Sequence, residues 1–222
     1  MKRVLGAMAV TAAVLAGTSG CVWDDEERRD VAYGVTGPVR VLVVEAHTGG
    51  VTVRGGGDAV RVTEHQSFKD GEPRSSHEVR DGTLTLAYDC DGCAIGYEVE
   101  VPAGTKVRIG AGTGGVRLSG LAGEVEATVS TGGIEASGLT SPTALLRTGT
   151  GGIEADFAAA PVKVEARAGT GGVRVRVPAG DAYAVDAGAE TGGVEVTVPR
   201  QPGAPRSILA RAEVGGVTVA HG

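Results

Sequence analysis

The stretch "GTGGVRVRVP", Gly169 to Pro178, decides how the chain is read. A glycine pair ahead of an alternating Val–Arg run fits two different objects. One is a loop that cradles phosphate, the other a bend between strands. A phosphate loop of the Walker type needs Gly-Lys-Ser/Thr opening a helix, and the dinucleotide fingerprint needs a strand–loop–helix unit. Here a strand pattern begins directly after the glycines and no Lys follows. The alternation places Val173, Val175 and Val177 on one face and Arg174 and Arg176 on the other, as in a half-buried strand.

The motif recurs. Thr-Gly-Gly starts at Thr48, Thr113, Thr131, Thr150, Thr170 and Thr191, and a diverged Val-Gly-Gly starts at Val214. From Thr113 onward the starts are 18, 19, 20, 21 and 23 residues apart. Registered on the Thr, the positions two, four and six residues earlier are apolar in every copy, with Thr148 the exception. The positions three and five residues later are Val, Ile, Leu or Ala throughout. The two inward sets differ by an odd number of residues, so one continuous strand would put one set outside. Each Thr-Gly-Gly therefore turns a corner, which glycine permits by reaching positive φ without a Cβ.

Units of about 20 residues, each with two strands and a glycine corner, predict an all-β fold. The expected form is a β-solenoid, a parallel β-helix-like stack of coils sharing one core. A sandwich of hairpins is the rival. Stacking predicts that Arg117 lies over Glu135 and that Arg174 lies between Glu154 and Glu195. The 65-residue gap between Thr48 and Thr113 has room for three degenerate repeats. The expected organisation is a signal segment at 1–20, an acidic tether at 21–33, and one domain over 34–222. Within that domain the repeats are degenerate over 54–105 and regular over 106–222.

The N-terminus sets the compartment. "MKR" precedes the apolar run Val4 to Gly17, too short for an ordinary membrane span and shaped like a secretory signal. Cys21 follows it as in a lipoprotein signal, where the new N-terminal Cys is lipidated, for example with palmitate. Thr18 stands where an aliphatic residue is usual. The alternative is ordinary cleavage nearby, leaving Cys21 a free thiol. Lipidation would hold the protein on the membrane surface outside the cytoplasm. "VWDDEERRD" (Val22–Asp30) then reads as a solvated tether. Without Lys2 and Arg3 the mature chain carries 19 basic and 27 acidic side chains, a net of −8. Nucleic acid, which needs a basic face, is not an expected partner.

The layout over Val39 to Gly222 resembles a bacterial family of unknown function designated "putative adhesins". Its members are extracytoplasmic β-strand-repeat proteins, often lipoproteins. The features that carry the resemblance are a Cys-containing segment, then "YEVEVPAGTKVRI" (Tyr97–Ile109), then regular glycine-corner repeats. The resemblance implies a non-catalytic cell-surface role and supplies no catalytic motif.

Other chemistry finds little footing. "CDGC", Cys90 to Cys93, lies between strand-like flanks, which suits a small disulfide across a turn better than a thioredoxin-type redox pair. His47, His65, His77 and His221 show no zinc-ligand spacing with these cysteines. Calcium β-roll repeats need Asp at fixed places in each turn, and those are missing. No G-x-S-x-G is present. The Thr file reads as turn residues rather than an ice-binding ladder. Phe157 and Tyr97 fall in apolar alternation and are expected in the core, leaving Tyr88 and Tyr183 for the surface.

No cofactor or metal is expected. The leading expectation is a membrane-tethered structural or adhesin-like protein that meets an unidentified surface protein or glycan. One alternative is an enzyme acting on an envelope polysaccharide. It would use stacked carboxylates such as Glu135 and Glu154, or a groove where Asp58, Glu64, Asp70, Glu72, Glu78 and Asp81 converge. Another is end-to-end self-association through an open last coil at "GGVTVAHG".

Overall fold

The computed structural model describes residues 13–14, 26–69 and 71–222. The strands are β1 (Ala13–Val14), β2 (Glu27–Val35), β3 (Val41–Thr48), β4 (Val51–Gly55), β5 (Val60–Phe68), β6 (Arg74–Arg80), β7 (Thr83–Asp89) and β8 (Cys93–Val101). Next come β9 (Lys106–Thr113), β10 (Val116–Ser119), β11 (Val125–Thr131), β12 (Ile134–Leu139), β13 (Thr143–Thr150) and β14 (Ile153–Phe157). The chain ends with β15 (Lys163–Thr170), β16 (Val173–Val177), β17 (Ala184–Thr191), β18 (Val194–Val196), β19 (Ser207–Val214) and β20 (Val217–His221). No helix occurs among the described residues.

Two large, mostly parallel sheets result. One runs β17-β19-β15-β13-β11-β9-β3-β7-β6 and the other β1-β2-β5-β8-β4-β10-β12-β14-β16-β20-β18. Each Thr-Gly-Gly carries the chain from the first sheet to the second. One rung is thus a strand of each sheet joined by a corner, and the register matches the repeat: Val125 pairs with Val107 and Ala144, and Ile134 with Val116 and Ile153. The inward files lie between the sheets and are buried, from Leu42, Val107 and Leu146 on one side to Val53, Leu118 and Val175 on the other. Leu121, Leu139 and Phe157 close the side opposite the corners. Thr148, the polar exception, is satisfied by donating from Oγ1 to the Gly132 carbonyl at 2.7 Å.

The first glycine of each corner is fixed twice over. Gly49, Gly114, Gly132, Gly151, Gly171, Gly192 and Gly215 have φ between 132° and 147°. A Cβ on any of them would stand 2.0–2.2 Å from a carbonyl oxygen of the adjacent rung. This conformation keeps the hydrogen-bond ladder unbroken through the bend. Gly132 N donates to Thr150 O at 2.7 Å, and Ile134 N to Gly152 O at 2.9 Å. The second glycine is under less constraint. A Cβ on Gly152 would lie 3.4 Å from Gly172 O, and its φ is outside the left-handed region.

Several expectations are corrected. Residues 54–105 hold one full rung, β7–β8, rather than three degenerate ones. Around it, β5 runs antiparallel to β2 and β8, and β6 antiparallel to β7. The β6–β7 turn is Asp81-Gly82, both at positive φ, the pair a tight hairpin demands. The tether is shorter than 21–33, because Glu27–Val35 is a strand nine residues long paired with β5. Spatial order also departs from chain order at both ends. The β7–β8 rung lies outside β3–β4, and the C-terminal β19–β20 rung inserts between β15–β16 and β17–β18. The open distal rung is therefore β17–β18, not the last coil. Thr218, not Glu195, is the far neighbour of Arg174.

Gly151→Ala is expected to cost about 3 kcal/mol or to prevent folding, since it adds strain at positive φ to a backbone collision. Gly152→Ala is expected to cost less than about 1 kcal/mol. Urea denaturation of the two variants checks this, and equal losses would refute the corner argument.

Candidate functional site

The proximal end, next to the N-terminal strand, carries a buried polar network. Glu64 on β5 is fully buried and receives Tyr33 Oη at 2.7 Å and Gln66 Nε2 at 2.8 Å. Arg29 Nε and Nη2 donate to Gln66 Oε1 at 3.1 and 2.7 Å, and Arg29 pairs with Glu72 at 3.1 Å. Burial first, and then the Glu64 charge, hold the hydroxyls of Tyr33 and Tyr97 far above the ordinary tyrosine range. Both stay neutral, which suits Tyr33 as a permanent donor. The Tyr33 ring stacks on His77 of β6 at 4.4 Å, joining the two sheets across the end of the core. The network locks β2 to the body. A buried carboxylate costs free energy unless its oxygens are bonded, and here both are.

The β7–β8 corner is longer than the others, and Cys90 and Cys93 are joined across it by a disulfide with Cα atoms 5.9 Å apart. Pairing between β3 and β7 stops at Glu45–Ala87, leaving Thr48 without a strand neighbour on that side. The Tyr88 hydroxyl takes that place, accepting from Thr48 N at 2.5 Å and donating to Thr48 O at 2.6 Å. Tyr88 is therefore buried, not exposed as the sequence suggested. Tyr183 is also fully buried, beside Asp181 and Arg206 at the distal turn. Phe157 and Tyr97 are in the core.

The acidic residues offered for catalysis do not converge. Glu64 is sealed in the network above, Glu72 pairs with Arg29, and Glu78 pairs with Arg80 at 2.7 Å. Asp81 sits in the hairpin turn and Asp58 in the β4–β5 connection. Asp70 and Cys21 lie outside the described residues. Glu135 and Glu154 are stacked neighbours, as the register predicted, but their charges are drawn apart. Arg117 meets Glu135 at 3.5 Å, while Arg174 and Arg176 meet Glu154 at 3.2 and 3.0 Å. A shallow groove of about 650 Å³ runs along these rungs, floored by Gly115, Gly133, Gly152 and Gly172 and walled by Arg117 and Glu154.

The outer face of the other sheet is neutralised in the same way. Lys106 pairs with Glu124 at 2.9 Å, Arg108 with Glu126 at 3.6 Å, and Arg211 with Asp186. Gly188 leaves the space in which the Arg211 guanidinium folds over the edge strand. Glu165 is held by Arg147 at 2.6 Å and Arg167 at 2.9 Å, and those hydrogen bonds keep its carboxyl below the usual range. Sequence spacing pointed to rung-to-rung charge pairing. It missed the Glu64 network, for which the signal was Tyr33, Glu64 and Tyr97 on facing alternations, and it missed the Asp-Gly hairpin flanked by strand patterns.

No family model matches the chain, and no curated protein matches it in sequence. Solved structures are similar to it, the first of them in overall fold. A "putative cell adhesion protein" from Clostridium sporogenes superposes with a TM-score of 0.57 at 14% identity, over 88% of this chain and 100% of that one. A "putative adhesin" from Bacteroides fragilis is similar at 15% identity and TM-score 0.45, covering 88% of this chain and 96% of its own. A "putative lipid binding protein" from Parabacteroides distasonis covers 88% and 96%, at 11% identity and TM-score 0.30. The first of these is similar to this chain in fold, and it carries a description of the kind the glycine corners resemble.

Because the folded-state pKa of Glu165 is depressed, its contribution is fully present above the ordinary carboxylate range and lost as pH falls through the folded value. Glu165→Gln should cost about 1 kcal/mol at neutral pH and nothing in strong acid. Denaturation midpoints measured across that range test it, and a pH-independent loss would contradict the assignment.

Proposed function

We propose that the protein is a cell-surface lipoprotein with a non-catalytic, adhesin-like interaction role. Its two sheets would form a flattened β-solenoid standing on a lipid anchor at Cys21. The observation that carries this reading is the unbroken run of rungs between an N-terminal strand and a distal open rung. With strands about 4.8 Å apart, the eleven-stranded sheet makes a stiff body roughly 48 Å long. Its outward ions are paired from rung to rung, which suits a rigid spacer and presenting surface. The fold shared with a protein described as a cell adhesion protein supports the same reading. A polysaccharide-acting enzyme would need two carboxylates free to act as acid and base. The stacked pair here is committed to arginines instead.

β2 begins six residues after Cys21, so the end closed by β2, β5 and β6 would face the membrane and the β17–β18 rung would point away from it. Growing cells expressing the full chain with an alkyne-palmitate label test the anchor. The wild-type protein should be labelled, sediment with membranes and be cut by protease added outside the cytoplasmic membrane. Cys21→Ser should be unlabelled and leave the membrane fraction. An unlabelled or cytoplasmic wild-type protein would overturn the reading.

A further inference from the structure

One groove gathers like charges where the fold elsewhere sets opposite ones together. It lies on the outer face of the sheet that holds β13, β15, β19 and β17. Arg147, Arg167 and Arg211 stand in register there on three adjacent strands. Further along, Glu213 of β19 and Glu190 of β17 stand side by side, between the partners Ala212–Ala189 and Val214–Thr191. Like charges directly opposite one another are destabilising, so packing gains nothing from either set. Glu135 and Glu154 also stack, but each has an arginine of its own. The arginines and both glutamates line one open groove of about 630 Å³, and Gly149 and Gly169 leave it bare beside the arginines.

The two ends of this groove keep opposite, unspent charge. Arg147 Nη2 and Arg167 Nε both donate to the same Oε1 of Glu165, which lies beneath them with 14% of its side chain exposed. One carboxylate thus holds two guanidinium groups side by side. The terminal nitrogens of Arg167 make no hydrogen bond among the described residues. Arg211, between the two ends, is committed to Asp186. Glu190 and Glu213 are exposed and make no ion pair among the described residues. The groove is therefore basic where β13 and β15 meet and acidic where β19 and β17 meet.

We propose that this groove binds a short extended peptide by its two free termini. The C-terminal carboxylate would lie on Arg147 and Arg167, since a guanidinium fork matches a carboxylate oxygen for oxygen. The N-terminal ammonium would lie between Glu190 and Glu213. Measured along the stack, the two ends are two strand spacings apart, about 10 Å. An extended chain covers about 3.3–3.6 Å per residue, so a tripeptide spans that distance. A ligand with one charge fills half the site, and a much longer chain cannot place both termini. No aromatic side chain lines the groove, so length and free ends decide what binds rather than side-chain identity.

The inference goes beyond the adhesin-like reading and does not need the anchor, because binding is measured in solution. The full chain in detergent micelles is titrated calorimetrically with Ala-Ala-Ala, with its N-acetyl form and with its C-terminal amide. The free tripeptide should bind, and each capped form should bind about tenfold more weakly, the loss of one charge-assisted contact. Arg167→Gln should weaken the free peptide by about the same factor and leave the amide unchanged. Glu190→Gln/Glu213→Gln should weaken the free peptide and leave the acetylated form unchanged. These side chains are exposed, so the urea midpoints of the variants should match the wild type. Equal binding of free and capped peptides, no binding at millimolar tripeptide, or variants that weaken all three forms alike would each overturn the proposal. A hexa-alanine peptide that binds as tightly as the tripeptide would overturn it as well.

Discussion

The structure depends on a file of glycines that touch one another. At each corner the first glycine takes a positive-φ backbone conformation and lies against a carbonyl one rung away, that of Ile95 for Gly49 and of a glycine for the others, closer than any Cβ allows. This contact lets the hydrogen-bond ladder pass around the bend instead of ending there. The parallel strands of the two sheets are then joined rung by rung, and the inward files stay in register. With the register fixed, Val and Ala suffice to fill a thin core, which explains how a chain with 3% aromatic residues buries an interior along its whole length.

Much of this was legible in the sequence because the corner writes itself into every repeat. The parity change across Thr-Gly-Gly identified the bend, and the columns identified the neighbours Arg117–Glu135 and Glu135–Glu154. What periodicity does not encode is the order in which rungs stack. A parallel ladder between β15 and β17 would satisfy the same columns as the observed one between β15 and β19. The choice lies in the connections and in which rung tolerates an open face. Tyr88 was misread for a related reason. It looked like an isolated surface ring, but it occupies the place of backbone partners that its own lengthened corner had removed.

The two ends have different physics. The proximal end is sealed by antiparallel strands, a bonded buried carboxylate and charged edge residues. The distal end is finished by inserting the C-terminal rung inside its predecessor. The final residues of the chain must therefore be present before β17 and β18 can find their place, which makes the distal end a late, non-local step of folding. It also leaves β17 and β18 with a strand neighbour on one side only among the described residues.

The order of the distal rungs is the claim on which both the open edge and the solenoid reading turn. Amide hydrogen exchange of the native protein, followed strand by strand, tests it most directly. With β19–β20 enclosed between neighbours, its amides should be protected about as well as those of β15–β16, and β17–β18 should exchange first. Faster exchange in β19–β20 than in β17–β18 would mean that the chain stacks in simple sequence order, and would contradict the arrangement described.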